Sequence, residues 1–257
     1  SSKEVTSRII GSLKKLEYRG YDSAGIATIS ENNINEVKCE GRVNELEKNV
    51  NQIKLSGTIG IGHVRWATHG KPSTINAHPH SSDNVSVVHN GIIENSTILK
   101  KILEKKGYKF KSQTDTEVIV HLVTDYLKKN NLKDTIIKVL KKLHGSFALG
   151  IIFKDQPDLI IGARRGSPLA VGYGPDEHYL GSDSYALKSM TNKISYLNDG
   201  EFCILKKDQV EFFDSDGIKT NKEVLNLSKD EQNYEKGQYK YFMAKEIDEQ
   251  PVTIKNC

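Results

Sequence analysis

Residues 85–91 read Val85-Ser86-Val87-Val88-His89-Asn90-Gly91, a β-branched apolar run that closes on a dipeptide typical of chain reversal. The spelling predicts a strand over Val85–His89 and a turn at Asn90-Gly91. Upstream, Gly25–Ser30 and Ile34–Cys39 are strand-like and joined across Asn32-Asn33, a hairpin, and Thr58–His63 is a further strand. Val5, Ile9, Ile10, Leu13 and Leu16 recur at helical spacing with Thr6 or Ser7 as N-cap, and a short helix is expected near Val43–Val50. Downstream, Ile98, Ile102 and Leu103 mark one helix, Val118–Leu127 a second and Leu132–Leu143 a third. The remainder reads as short strands: Ser146–Phe153, Leu159–Ala163, Leu169–Val171, His178–Leu180, Glu201–Leu205 and Val210–Phe213, with a turn at Asp216-Gly217. Strands and helices do not alternate one for one. That argues against a doubly wound parallel sheet and for an α+β architecture, with antiparallel sheets and helices packed outside. Beyond Leu227 the chain turns polar, so residues 1–228 are read as one domain and 229–257 as an exit segment leading onward.

Composition narrows the function classes. The chain has 257 residues, 37% hydrophobic and 27% charged, ordinary for a globular domain with a core of its own. The longest apolar stretch, Phe147–Phe153, is far too short to span a bilayer, and no charged-then-apolar leader opens the sequence. Cys39, Cys203 and Cys257 are odd in number and widely spread, which suits free thiols in a reducing cytoplasm rather than a disulfide framework. The formal net charge of +4 comes from scattered lysines such as Lys14-Lys15, Lys128-Lys129 and Lys141-Lys142. A nucleic-acid partner would need them gathered in a stripe with aromatics between, so none is expected.

The residues able to do chemistry cluster between Gly60 and Asp115. Arg65 to Ser82 is rich in Gly, Pro and His and fits no regular element, and loops of that length are usually functional. Arg65, just past a strand end, either grips a carboxylate with its two-pronged fork or holds a surface salt bridge. Trp66 is the one tryptophan, and its neighbours are polar. At Asn90-Gly91 an amide and an N–H could converge on one spot, as a tetrahedral oxyanion requires; a plain turn is the other reading. Thr114-Asp115-Thr116-Glu117 either caps a helix or lets Asp115 accept from a ligand ammonium. Arg65 and Asp115 together would then read both charged ends of an α-amino acid. His78-Pro79-His80 places two imidazoles on one face, but a zinc site lacks a third ligand at recognisable spacing, so no metal is expected. Neither Cys39 nor Cys203 has an activating base in view.

Several segments, in order, resemble the class II glutamine amidotransferases: Leu16-Glu17-Tyr18-Arg19-Gly20-Tyr21-Asp22-Ser23-Ala24-Gly25, then Arg65-Trp66-Ala67-Thr68-His69-Gly70 and Asn76-Ala77-His78-Pro79-His80. Val88–Asn95 and Thr114–Glu117 continue the match. Gly166-Ser167-Pro168-Leu169 and Lys245–Pro251 look like the branch that aminates a sugar phosphate. The resemblance implies an N-terminal-nucleophile hydrolase fold, a four-layer αββα sandwich of two antiparallel sheets between helical layers. It implies hydrolysis of L-glutamine by an N-terminal cysteine whose α-amine is the base, without a cofactor. Asn90 and the Gly91 N–H would form the oxyanion hole, with Arg19 close to the nucleophile. Arg65 would hold the substrate carboxylate and Asp115 its ammonium, with Thr68 and His69 lining the site. Trp66 would gate ammonia, and His78 would lie toward the partner domains. Those partners are C-terminal sugar-isomerase domains that bind fructose 6-phosphate, and a homodimer is expected of the full polypeptide.

The family begins Cys-Gly-Ile. By register that segment is expected one short strand, roughly seven residues, upstream of Ser1, and a chain truly lacking it is expected to be inactive. Alternatives are the amidotransferase that opens purine synthesis, a glutamine-binding domain without a nucleophile, and a zinc hydrolase built on His78 and His80.

Overall fold

The structure is a computed structural model that describes residues 4–227, 238–239 and 242–256. Its elements, in chain order, begin with α1 (Thr6–Leu16), β1 (Ser23–Ser30), β2 (Asn33–Glu40), α2 (Val43–Ile53), β3 (Ile59–Arg65), β4 (His80–Ser81) and β5 (Val85–Ile93). Three helices follow: α3 (Ser96–Lys105), α4 (Glu117–Leu127) and α5 (Leu132–Lys142). Then come β6 (Gly145–Phe153), β7 (Gln156–Arg165), β8 (Ala170–Gly174), β9 (Glu177–Gly181), the short α6 (Ser184–Leu187), β10 (Lys193–Tyr196), β11 (Phe202–Lys206), β12 (Val210–Phe213) and β13 (Lys219–Thr220). All of these lie in one compact unit ending at Leu225; a second unit, Asn226–Cys257, contains the helix α7 (Phe242–Asn256). The expected exit residues 229–237, with Tyr241, lie outside the described residues.

Two antiparallel sheets carry the first unit. One has the order β2-β1-β3, the other β13-β12-β11-β7-β6-β5-β4. Period-two alternation assigns each strand residue to a layer. On β1, Ala24 and Ile26 face outward to α1 and α2 and pack on Ile10, Leu13, Val43, Leu46 and Val50. The alternate residues Ala27 and Ile29 join Ile59, Ile61 and Ile152 between the sheets. On β6, Phe147, Leu149, Ile151 and Phe153 face α3, α4 and α5. The result is the expected αββα order of layers. Each such side chain, fully buried, contributes roughly 1.5–3 kcal/mol. Helix α4 is β-branched and nearly all apolar over residues 118–123 because it lies between the sheet and its neighbouring helices, where packing outweighs propensity. A smaller sheet in which β8 is flanked by β10 and β9 extends the inner layer over Cys203, Leu205 and Phe212.

Local expectations fare unevenly. The hairpin forms, with its two-residue turn at Glu31-Asn32, both at positive φ (48° and 57°), the backbone a tight hairpin requires. The strand expected to stop at His89 runs on to Ile93. Asn90 and Gly91 pair with Ala148 and Phe147 of β6, so they make no turn. Gly91 adopts φ +134°, and a Cβ there would sit 2.1 Å from the Ser146 carbonyl oxygen. The glycine therefore serves a close strand approach. Neither Thr6 nor Ser7 caps α1; Val5 is the N-cap, and the Glu4 carboxylate takes the Thr6 N–H at 3.0 Å. On α3 the buried stripe is Leu99 and Leu103, while Ile98 and Ile102 are exposed.

The segment Arg19–Gly25 is built for close approach to the loop beyond β3. A Cβ at Gly20 would meet the Arg65 carbonyl carbon at 2.8 Å, and one at Gly25 the His78 carbonyl oxygen at 2.2 Å. Gly25→Ala should therefore cost about 1–3 kcal/mol through overpacking, read as a lowered urea midpoint at constant slope. An unchanged midpoint would contradict this packing.

Candidate active site

A cavity of ≈ 630 Å³ opens between β3, β5, β6 and β9. Its lining brings together Arg19, Arg65, Trp66, Thr68, His78, Asn90, Gly91 and Asp115. His69 is not in the lining, although its ring lies 3.9 Å from Asp115. The sequence separations are large, so the placement rests on three structural devices.

The first is Arg65, which ends β3 and is 4% exposed. Its Nη2 donates to the carbonyl oxygens of His69 and Gly70, curling the loop back over the guanidinium. Its Nη1 lies 3.8 Å from Asp22 and has no hydrogen-bond partner among the described residues. Burial pulls the Arg65 pKa down, and the charges of Asp22 and Asp115 act against that pull. Asp22 also accepts the N–H of Ala67, and its own N–H donates to the Arg65 carbonyl at 3.2 Å. The second device is Asn76. It is 1% exposed, donates to Lys71 and Gln113 and accepts the Gln113 N–H at 2.9 Å, clasping the long loop to the segment before α4.

The third fixes Asp115. The N-cap of α4 is Thr116, with no side-chain cap bond, so neither Asp115 nor Thr114 caps the helix. The Asp115 Oδ2 instead accepts the Ile93 N–H at 2.7 Å. One backbone thus holds Asn90 and Gly91 and, two residues on, the carboxylate. Asn90 is exposed toward the cavity. Arg19 is held by Ser182 at 2.7 Å and Asp183 at 2.9 Å. Trp66 is 63% exposed and packs edge-on against Tyr21, with ring centroids 5.9 Å apart.

His78 is 6% exposed, with Nε2 2.8 Å from Thr116 Oγ1 and Nδ1 3.3 Å from His63. His80 meets Thr114 at 2.9 Å and His89 meets Thr116 at 2.9 Å. Burial holds all three imidazoles below their ordinary pKa, His80 at about 3 with help from Lys38. Neutral rings bonded to hydroxyls explain the histidine-rich spelling. Among the described residues no group of three or more His, Cys, Asp or Glu is arranged to hold a metal. Asp22, Asn76 and Glu117 have no role legible in the sequence, although each lies in a segment that carries the family resemblance.

The comparisons with known proteins set this fold beside glutamine amidotransferases: residues 65–189 match the family model described as a glutamine amidotransferase domain. It is 49% identical, over 97% of its length, to the glutamine–fructose-6-phosphate aminotransferase (isomerizing) of Bradyrhizobium diazoefficiens, covering 41% of that protein. The enzyme of the same name from Clostridium acetobutylicum is 49% identical over 99% of the chain, which covers 42% of it. The chain thus spans about two-fifths of the length of these relatives. Among solved structures, glutamine phosphoribosylpyrophosphate amidotransferase from B. subtilis superposes with a TM-score of 0.69 at 29% identity, over 81% of this chain and 46% of that one. Among the described residues no helix is long and apolar enough to cross a membrane.

The buried imidazoles carry a pH signature. An unfolded chain protonates His80 near pH 6.5, whereas the folded one resists until about 3. Stability present above 6.5 is therefore lost as pH falls toward 3, at up to roughly 1.4 kcal/mol per pH unit for this ring. Urea titrations across that range should show a shallower acid slope in His80→Gln. Identical slopes would exclude His80 as a contributor.

Proposed function

We propose that this domain hydrolyses the side-chain amide of L-glutamine to glutamate and ammonia. In the longer polypeptide, ammonia passes to fructose 6-phosphate held by C-terminal sugar-isomerase domains, giving glucosamine 6-phosphate. The reading is carried by one observation: a buried cation and a buried carboxylate share a cavity with the Asn90-Gly91 pair. Arg65 Nη1 is the donor for the substrate carboxylate. Asp115 Oδ1, the oxygen not taken by Ile93, receives the ammonium. Thr68 and His69 flank that clamp.

With its ends held, glutamine points its amide toward Asn90. The nucleophile in this reading is an N-terminal cysteine on a strand preceding Ser1. Strand β3 is the outer strand of its sheet, and the cavity runs along it past Gly60, Ile61 and Gly62 to Arg65. A strand laid there would deliver its first residue beside Arg19 and Asn90. Cys39 and Cys203 are poor candidates: both are buried outside the cavity lining, and burial pushes both thiols up. The thiol attacks the amide carbon and its proton goes to the α-amine. The resulting oxyanion receives hydrogen bonds from the Asn90 amide and the Gly91 N–H. The amine then protonates the departing nitrogen, ammonia leaves, and water hydrolyses the thioester. Trp66, at the rim, is placed to control where ammonia goes.

The purine-pathway reading has weaker support, since identity is 29% to the B. subtilis enzyme and 49% to the sugar-phosphate ones. Cytoplasmic location, in keeping with widely spread cysteines, and a homodimer of the full polypeptide complete the proposal.

In the full-length protein, Asn90→Ala should lower glutaminase kcat about 10²–10³-fold with little change in KM. Arg65→Ala should raise KM for glutamine at least about tenfold. Steady-state ammonia release reads both. An unchanged kcat in the first variant would remove Asn90 from the oxyanion site, and an unchanged KM in the second would remove Arg65 from the clamp.

A further inference from the structure

Glu117 opens α4 and passes for an ordinary first-turn acid. Its carboxylate is not turned on its own helix. Oε1 accepts the Lys111 N–H at 2.8 Å, and Oε2 accepts the Ser112 N–H and the Ser112 hydroxyl, each at 2.7 Å. The Ser112 hydroxyl lies 3.0 Å from Thr114 Oγ1, which lies 2.9 Å from His80 Nε2. An ionised carboxylate can only accept. Ser112 must then donate to Glu117, Thr114 to Ser112, and the His80 Nε2–H to Thr114. A single polarity satisfies the whole chain of bonds. Burial works against the Glu117 charge, but the His121 ring 3.6 Å away, together with hydrogen bonds from the Ser112 hydroxyl and the two backbone N–H groups, outweighs it and holds the carboxyl at about 2.

This series of bonds passes through Thr114, the residue before Asp115. Thr114, on one side of Asp115, is tied through Ser112 to Glu117. Thr116, on the other side, is held between His78 and His89. Glu117 itself is 6% exposed and does not line the cavity. We propose that Glu117 is a positioning residue for glutamine binding: it anchors the 111–114 turn so that the Asp115 carboxylate meets the substrate ammonium, and it touches no substrate itself. The inference rests on the assignment of Arg65 and Asp115 as the amino-acid clamp.

The test is a double-mutant cycle in the full-length enzyme, with ammonia release and thermal melting as readouts. Glu117→Gln, which puts an amide group against N–H donors, should raise KM for glutamine about tenfold while kcat stays within about twofold. In an Asp115→Asn background the same substitution should add less than about twofold, because its effect runs through Asp115. An unchanged KM in folded Glu117→Gln, or effects that multiply in the double variant, would overturn the inference. Should Glu117→Gln lose its melting transition, Ser112→Ala decides. It should raise KM about threefold at an unchanged Tm, and an unchanged KM would overturn the proposal. If Asp115→Asn alone leaves KM unaltered, the clamp itself is wrong, and this inference falls with it.

Discussion

The Arg65 guanidinium sits almost wholly out of water, and among the described residues one of its terminal nitrogens has no hydrogen-bond partner. An uncompensated buried cation costs several kcal/mol, so the surrounding structure is arranged to make the position tolerable. Two carbonyls of its own loop accept from Nη2, and Asp22 and Asp115 supply the opposing charge. Gly20 lets the Asp22 segment reach the loop, Asp22 grips Ala67, and Asn76 ties the loop to Gln113. The pattern is that of a charge held ready for a partner.

The site divides between rigid and looped elements. Asn90 and Gly91 lie on β5, which is paired with β6 along its whole length, so the proposed oxyanion donors are set by the larger sheet. The proposed clamp comes from the end of β3 and from the loop before α4, each secured by a few buried bonds. Strand and loop are coupled at the Ile93–Asp115 bond. The spacing between the proposed ammonium site and the oxyanion site is thereby set by two residues of extended backbone.

Much of the fold is legible in local pattern. The β1–β2 hairpin, the helices and most strands follow from apolar runs and periodicity between turn residues. The Asn90-Gly91 spelling misleads for a physical reason. Locally it favours a turn, but nine residues of register with β6 and the approach of the Ser146 carbonyl override that preference. Strand β10 escapes notice because, within four residues, only Ile194 and Ser195 are buried. In the site, Arg65 and Asp115 are readable as residue types suited to an amino acid. Asp22 and Glu117 are not, since their importance lies in bonds to Ala67, 45 residues away in sequence, and to the turn before α4. The His78 spelling shows a histidine pair but not the Thr116 hydroxyl that the buried ring meets.

The central claim is that Arg65 and Asp115 form a single clamp for the two charged ends of an α-amino acid. A crystal structure of the full-length protein soaked with L-glutamate tests it most directly. The account predicts the ligand's α-carboxylate on Arg65 Nη1, its ammonium on Asp115 Oδ1 and its side-chain carboxylate facing Asn90 and Gly91. Glutamate bound in the cavity with its α-groups away from these two residues, or bound elsewhere, would contradict it.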